Sequence, residues 1–282
     1  MKSMIKAEYE GINKSSPNEM GKMHALERID FILGTLKRDK VVLVTELSKQ
    51  LNVSEETIRS DLKKLEKQEQ LHRVHGGAYL NEGYGNETPF VVRNRILCAE
   101  KALIAQRCLP LIKNRETIFL DSSSTALNLA KALAESGKRL TVISNSLEIA
   151  KVFAYSNEVR LVILGGELNR SCSAFEGNLV TEQLAEYYIS TAFVSCAGVN
   201  LQAGITDSVQ GEAIVRKAAL SRCYHSVLLA DETKFQEGGP YVIANLAAID
   251  YLVSDGLVAK SSPDVYEYLV STGKSIIDAA LN

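Results

Sequence analysis

The chain has 282 residues, of which 46% are hydrophobic and five are proline, so general disorder is excluded and two domains with separate cores are feasible. The net charge of −2 at pH 7 excludes a uniformly basic surface. No apolar run approaches the roughly 20 residues that span a bilayer, and the first residues lack an apolar signal core. We therefore expect neither membrane insertion nor secretion.

The five cysteines show no paired spacing and lie mostly in apolar segments. This pattern predicts buried free thiols rather than disulfides or a metal site. Free thiols fit a reducing cytoplasm, where we expect the protein to reside without a metal or other cofactor. The five are Cys98, Cys108, Cys172, Cys196 and Cys223.

The beginning of the chain contains a polar segment followed by one helix. Residues 1–21 include Ser15-Ser16-Pro17-Asn18 and are interpreted as a loosely ordered tail. From Met23 to Lys37, apolar residues recur at helical spacing and predict the first helix of a domain covering residues 22–80.

Residues 41–80 have the pattern of two helices, a tight turn and a hairpin with a glycine tip. We expect Thr45 to cap a helix from about Glu46 to Leu51, and Asn52-Val53 to form the turn. Ser54 is expected to cap a second helix, whose apolar stripe includes Ile58 and faces inward. This arrangement is typical of a winged helix-turn-helix.

The outward face of the second helix and the hairpin carry the candidate DNA-binding side chains. A helix of this size fits the major groove, and cations on a hairpin can approach phosphates. The alternative is an ordinary amphipathic helix pair with a solvated charged face. The candidates are Ser54, Thr57, Arg59, Ser60, Lys63 and Lys64 on the helix, and Arg73 and His75 on the hairpin.

The charge is distributed unevenly between the two halves of the chain. Residues 22–80 contain 11 Lys/Arg and 9 Asp/Glu, whereas residues 81–282 contain 18 and 22. A net charge of only +2 on residues 22–80 predicts weak DNA binding by one copy. We therefore expect a homo-oligomer, a dimer or a tetramer, in which recognition helices act together.

After residue 80 the sequence contains a short segment rich in turn residues and then a long segment with an α/β pattern. Residues 81–92 contain NEGYGNETP and are interpreted as an interdomain linker, and residues 93–282 form the second domain. A helix from about Arg93 to Leu111 is followed by apolar strands that alternate with helices. Such alternation predicts a largely parallel sheet covered on both faces. The expected strands are 117–120, 140–143, 160–164, 191–197, 226–230 and 248–253.

Polar and glycine residues follow several of these strands. Asp121, Ser122, Ser123, Ser124 and Thr125 come directly after one strand and open a helix, where hydroxyl and amide groups can hold a phosphate. A simple run of helix caps is the alternative. Ligands of parallel sheets bind at the carboxyl ends of strands. Further candidates at such ends are Asn145, Gly165, Gly166, Gly198, Asp231 and Lys234.

Two sets of segments resemble the DeoR family of bacterial transcription regulators. SEETIRSDLKKLEKQEQLHRVHGGA resembles the amino-terminal signature of that family, with Ser60 in place of the usual second arginine. FLDSSSTALNLAKAL, TVISNSLEIA and LLADETKF resemble its sensor domain, which is similar in fold to sugar-phosphate isomerases such as ribose-5-phosphate isomerase. The resemblance implies an α+β winged helix-turn-helix followed by an α/β sensor domain with a largely parallel, sugar-phosphate-isomerase-like sheet.

The resemblance also implies a function. It indicates a regulator, with repression as the expected mode, of a carbohydrate-metabolism operon, whose partners are double-stranded operator DNA and a phosphorylated sugar effector. Residues 121–125 would receive the phosphate or adjacent hydroxyls, Asn145 and Gly165-Gly166 would shape the pocket, and Lys234 would supply positive charge. Arg216 stands where the family usually has lysine.

The alternative is a sugar-phosphate isomerase with an appended DNA-binding-like module. Its base would be Asp121, Glu212 or Asp231, and Lys234 would act as the electrophile. The sequence shows no compact acid–base motif, so we expect a protein that is not an enzyme.

Overall fold

The computed structural model describes residues 24–80, 88–236 and 238–280, and the chain divides into two compact units, Met1–Glu82 and Gly83–Asn282. The predicted tail at residues 1–21 lies outside the described residues, as do residues 81–87 of the predicted linker.

The first unit is a winged helix-turn-helix. Its three strands form an antiparallel sheet in the order β1-β3-β2. The helices pack through a core that includes Ile32, Leu36, Ile58 and Leu62. The elements are α1 (Ala25–Asp39), β1 (Val41–Leu43), α2 (Val44–Leu51), α3 (Glu55–Lys67), β2 (His72–Val74) and β3 (Gly77–Tyr79).

The two predicted helix caps have different outcomes. Ser54 caps α3, because its Oγ accepts a hydrogen bond from the Thr57 amide at 3.2 Å. The prediction for Thr45 is wrong: α2 begins at Val44, directly after β1, and its N-cap residue Leu43 provides no side-chain hydrogen bond. Asn52 ends α2 in the left-handed conformation, which confirms the predicted turn.

The second unit is an α/β fold. Its helices are α4 (Phe90–Arg93), α5 (Cys98–Cys108), α6 (Ser124–Glu135), α7 (Leu147–Phe153), α8 (Asn178–Ala185), α9 (Gln210–Leu220), α10 (Val258–Ser261) and α11 (Pro263–Ser271). Its strands are β4 (Thr117–Leu120), β5 (Leu140–Ser144), β6 (Val159–Ile163), β7 (Glu167–Asn169), β8 (Ala174–Glu176), β9 (Ile189–Ser195), β10 (Gly198–Asn200), β11 (Gly204–Asp207), β12 (Cys223–Leu229), β13 (Tyr241–Ala244), β14 (Tyr251–Val253) and β15 (Ser275–Ile277).

Seven strands form a parallel sheet in the order β15-β14-β12-β9-β4-β5-β6. Successive residues of a strand face opposite sides of the sheet, so Phe119 belongs to one apolar cluster and Ile118 and Leu120 belong to another. The predicted parallel sheet with two covered faces is thereby confirmed. Two small antiparallel sheets, β10-β11-β13 and β7-β8, and strand β15 were not predicted.

The first helices of the second unit differ from the prediction. The last residues of the predicted linker are part of α4, and the Phe90 side chain is buried in the core. The helix predicted from Arg93 to Leu111 is interrupted, because Leu97 adopts a φ of 52° before α5 begins. Within the described ranges, no helix combines the length and apolar character needed to cross a membrane.

Candidate functional sites

The recognition-helix candidates lie on the outward side of α3. Ser54, Arg59, Ser60, Lys63 and Lys64 are exposed, and Thr57 is half-buried. The opposite side of α3 contributes Ile58, Leu62 and Leu65 to the core. The sequence-predicted division of this helix into two faces is present in the structure.

Two concave surfaces flank α3. A cleft of about 260 Å³ lies between α3 and the β2–β3 hairpin, and its lining includes Arg59, Arg73, His75 and Gly76. An open depression of about 380 Å³ on the other side of α3 is lined by Arg28, Ser54, Glu56, Thr57, Ser60, Asp61 and Lys64. All eight predicted DNA-binding residues except Lys63 therefore border one of these surfaces.

Carboxylates hold two of the arginines. Arg59 Nη2 lies 2.5 Å from Glu55 Oε2, one helical turn earlier. Glu66 on α3 accepts two hydrogen bonds from Arg73, at 2.7 Å from Nε and 3.2 Å from the amide nitrogen. The hydrogen bond from the Arg73 side chain lowers the pKa of the Glu66 carboxyl. These pairs orient the guanidinium groups, and a DNA phosphate would have to compete with Glu55 for Arg59.

A buried ion pair positions the recognition helix. Arg28 on α1 forms a two-pronged contact with Asp61 on α3, at 2.5 Å for Nε–Oδ2 and 3.2 Å for Nη2–Oδ1. Both side chains are nearly inaccessible. This pair was not predicted from the sequence, because the two residues are 33 positions apart and Asp61 stands among the charged residues of α3.

In the second unit, the polar strand ends lie together at the carboxyl edge of the parallel sheet. Asp121 follows β4 and is saturated with donors. Its Oδ1 accepts hydrogen bonds from the Ser123 amide at 3.1 Å and hydroxyl at 2.6 Å, and its Oδ2 accepts from the Ser195 amide at 2.8 Å and from Arg216 Nε at 2.6 Å. Asp121 therefore organises the edge.

Arg216 on α9 lies at the centre of a buried charge cluster. It contacts Asp121, Asp207 and Glu212, and all four side chains are at most 4% exposed. Burial by itself would lower the pKa of Arg216, but the three carboxylates more than offset this and raise it well above the usual range. Burial also raises the pKa of Asp207. Arg216 is thus neutralised within the protein.

The start of α6 forms the next part of the edge. Ser123 caps the helix, with its Oγ 3.0 Å from the Ala126 amide, and Ser122 Oγ donates to Glu212 Oε1 at 2.8 Å. Ser124 and Thr125 are buried in the first turn of α6. The first amides of a helix have no intrahelical acceptor, so the Ser124 and Thr125 amides, unlike the capped Ala126 amide, are candidate donors to a ligand.

The glycine and asparagine candidates take part in close backbone packing. Asn145 Nδ2 donates to the Phe175 carbonyl at 2.9 Å. The Gly165 amide donates to Gln183 Oε1 at 2.9 Å. An added Cβ at Gly166 or at Gly198 would lie 2.4 Å from another backbone atom. Gly166 and Gly198 therefore admit no larger residue without a shift, whereas a Cβ at Gly165 would meet no atom within 4 Å.

Asp231 and Lys234 follow β12. Asp231 caps a short 3₁₀ helix (Glu232–Lys234) by accepting from the Thr233 amide at 3.0 Å. Lys234 is half-buried, and no ion pair links it to a carboxylate within the described ranges. Lys101 on α5, which was not predicted as a site residue, donates to the Arg93 and Ile96 carbonyls. Burial lowers the pKa of Lys101 to about 8, with Lys234 nearby adding to the effect.

The five cysteines are free thiols, but the predicted burial is wrong for Cys98, which is exposed, and holds only in part for the half-buried Cys223. Cys108, Cys172 and Cys196 are buried, and burial raises the pKa of Cys172 and of Cys196 to about 12. No group of three or more metal-ligating side chains occurs within the described ranges.

A winged helix-turn-helix joined to an α/β unit with a polar strand-end edge defines a two-domain transcriptional regulator. Comparison with known proteins agrees: the DeoR-like helix-turn-helix domain matches residues 28–83, and the DeoR C terminal sensor domain matches residues 98–256. The chain belongs to the DeoR family of helix-turn-helix transcriptional regulators.

Individual relatives match along most of their length. The uncharacterized HTH-type transcriptional regulator YulB of Bacillus subtilis is 33% identical over 83% of this chain and 90% of its own. The HTH-type transcriptional repressor GlcR of the same organism is 29% identical over 87% and 94%. Ribose 5-phosphate isomerase A from Methanocaldococcus jannaschii is similar over 48% of this chain and 53% of its own, with 21% identity and a TM-score of 0.37. A likeness of that degree supports no statement about activity.

Proposed function

We propose that the protein is a cytoplasmic repressor of a carbohydrate-metabolism operon, that it binds operator DNA as a homo-oligomer, and that a phosphorylated sugar controls its DNA affinity. The observation that carries the DNA-binding part is the arrangement of α3. One side of α3 is buried in the core, while its other side and the adjacent hairpin expose Arg59, Lys63, Lys64, Arg73 and His75. Relatives that include the repressor GlcR support the regulatory role.

Different side chains of this surface are suited to contact the bases and the phosphates of DNA. Side chains near the start of α3, such as Thr57 and Arg59, can reach base edges in the major groove. Lys63 and Lys64, further along the helix, are suited to phosphates, and Arg73 and His75 line the cleft beside the hairpin. The buried Arg28–Asp61 pair would keep α3 at a fixed angle to α1.

The effector would bind at the carboxyl edge of the parallel sheet. The candidate donors there are the Ser124 and Thr125 amides of α6, since Ser123 takes the Ala126 amide, and the half-buried Lys234 ammonium, whereas Arg216 is neutralised by its three carboxylates. Such an effector can change DNA binding only if it binds the DNA-competent and DNA-incompetent arrangements with different affinities.

An isomerase activity is not favoured by the contacts of its candidate bases. Asp121 accepts four hydrogen bonds, and Glu212 is engaged by Ser122 and Arg216. Asp231 caps its own 3₁₀ turn. A general base needs a lone pair directed at the substrate proton.

DNA binding is tested by fluorescence anisotropy with a labelled duplex from the region upstream of the protein's own gene, with a scrambled duplex as competitor. Arg59→Ala should weaken specific binding and reduce the preference over the scrambled duplex. Lys63→Ala should weaken both equally and reduce the salt slope by about 1. Arg139→Ala, at an exposed pair in the second unit, is the matched control.

Effector control is tested by repeating the titration with sugar phosphates of three to six carbons. We expect at least one of them to change the DNA affinity of the wild type and of Arg139→Ala. Lys234→Ala should bind DNA like the wild type but lose that response. Absence of any specific complex would refute the DNA-binding proposal, and an intact response in Lys234→Ala would refute the placement of the effector.

A further inference from the structure

Asn145 carries a buried oxygen without a hydrogen-bond donor. Its backbone carbonyl accepts from the Phe175 amide at 2.8 Å, and its Nδ2 donates to the Phe175 carbonyl at 2.9 Å. These contacts fix the side-chain orientation, because a flipped amide would place two carbonyl oxygens against each other. Oδ1 is then left buried, with no donor from any residue that the structure describes. An unpaired buried acceptor is costly and indicates a missing donor.

The next residue after Phe175, Glu176, is a half-buried carboxylate with spare acceptor capacity. Within the described ranges it accepts one side-chain hydrogen bond, from Asn169 Nδ2 at 3.1 Å. Two glycines pack against Glu176: a Cβ at Gly166 would lie 2.4 Å from its backbone carbonyl oxygen, and a Cβ at Gly211 would lie 2.3 Å from its carboxyl carbon. Gly166 thus admits the backbone of Glu176, Gly211 admits its carboxyl group, and Phe175, the preceding residue, is hydrogen-bonded to Asn145.

The charges of this region favour hydrogen-bond donors over anions. Two guanidinium groups, of Arg93 and Arg216, lie among four carboxylates. A phosphate group at this end of the edge would therefore face a net negative surrounding. Hydroxyl groups, in contrast, can donate to the carboxylates and to Asn145. The four carboxylates belong to Asp121, Glu176, Asp207 and Glu212.

We propose that Asn145 Oδ1 and the Glu176 carboxylate form a hydroxyl-recognition subsite of the effector site, in which each accepts a hydrogen bond from a hydroxyl group of the bound sugar. The phosphate of the same effector would point toward Lys234, away from the carboxylates. This subsite selects the number and position of hydroxyls on the ligand. The inference rests on the proposed function, because it concerns the same effector site.

The test combines altered ligands with altered residues in calorimetric titrations of the full chain. The probes are ribose 5-phosphate and glucose 6-phosphate, each beside its 2-deoxy and 3-deoxy analogues. For the sugar phosphate that binds more tightly, loss of a recognised hydroxyl should weaken binding to the wild type about ten- to hundredfold. Glu176→Gln should weaken binding of the parent sugar phosphate by a similar factor and change the affinity for that deoxy analogue by less than about threefold.

Asn145→Leu should likewise weaken binding of the parent sugar phosphate and leave the affinity for a second deoxy analogue nearly unchanged. If Asn145→Leu does not fold, the result for Glu176→Gln alone tests the subsite. Glu158→Gln, at an exposed ion pair before β6, is the matched control and should bind every probe like the wild type. Equal weakening of the parent and of all deoxy analogues by Glu176→Gln, or no weakening, would overturn the subsite while leaving effector binding intact. Failure of every probe to bind the wild type would overturn the subsite and the proposed sugar-phosphate effector together, whereas DNA binding would be judged separately by anisotropy.

Discussion

Replacement of Arg216 by methionine tests the buried charge cluster. In the wild type, the Arg216 guanidinium contacts three carboxylates, including Asp121 at 2.6 Å and Glu212 at 3.3 Å, and its side chain is 3% exposed. Removing one partner of a buried ion pair costs about 3–5 kcal/mol. Because three carboxylates lose their shared cation, we expect a loss of about 5 kcal/mol, the upper end of that range.

The pH dependence separates this explanation from a simple packing defect. Burial already raises the pKa of Asp207, and loss of Arg216 removes a charge that opposes the increase, so this pKa should rise further. A folded-state acid pKa above the unfolded value means that the folded state binds more protons, and stability then falls as pH rises through that window. The destabilisation by Arg216→Met should therefore be smaller at pH 5 than at pH 7.

The assay is urea unfolding followed by circular dichroism at both pH values. Arg139→Met removes an exposed pair with Glu158 and should cost less than about 1 kcal/mol at either pH. Arg216→Lys keeps the charge without the planar fork and should fall between the wild type and Arg216→Met. A loss below about 1 kcal/mol for Arg216→Met, or a loss that grows on acidification, would contradict the reasoning.

Three further predictions concern stability. Ser54→Ala should cost about 1 kcal/mol in chemical unfolding of the first unit through loss of the α3 cap, whereas Thr45→Ala should have little effect; equal losses would contradict the assigned caps. Gly77→Ala places a Cβ 2.3 Å from the Val42 carbonyl oxygen and should lower the free energy of unfolding by about 1–3 kcal/mol. Gly34→Ala adds a Cβ with no atom within 4 Å, so it should raise the free energy of unfolding by about 0.5–1 kcal/mol in the same assay. The pKa of Lys101 is lowered from 10.5 to about 8, so the unfolded state binds more protons between these values, and unfolding curves should show stability rising with pH relative to Lys101→Met; parallel pH profiles would contradict this.

The sequence predicted most of the regular structure for physical reasons. Strands of the parallel sheet are continuous apolar runs because both faces are buried, and β4 lies at the predicted residues 117–120. The cap and inward stripe of α3 follow from local chemistry at Ser54 and from 3.6-residue spacing. These signals lie within one element and need no knowledge of its neighbours.

The wrong predictions concern helix boundaries, which depend on the neighbouring elements. Thr45 has the chemistry of a cap, but β1 runs to Leu43 and α2 begins at once, so the threonine lies inside the helix. The break near Leu97 is hidden because apolar residues continue on both sides of it. Local patterns cannot show such junctions.

The candidate effector site was located by a topological rule but not resolved in its contacts. Parallel strands end at one edge, which brings Asp121 and Asn145 to neighbouring positions after β4 and β5. The sequence did not show that Arg216, 95 positions from Asp121, neutralises it. Nor did it single out Glu176, whose carboxyl group packs against the distant Gly211.

Hydrogen–deuterium exchange of the full chain tests most directly the claim that one unit reads DNA and the other binds a sugar phosphate. With the upstream duplex, we expect slower exchange over residues 54–64 and 72–77. With the sugar phosphate alone, we expect slower exchange over residues 122–126 and around Asn145 and Lys234. Protection by DNA confined to the second unit, or protection by the sugar phosphate confined to the first, would contradict it.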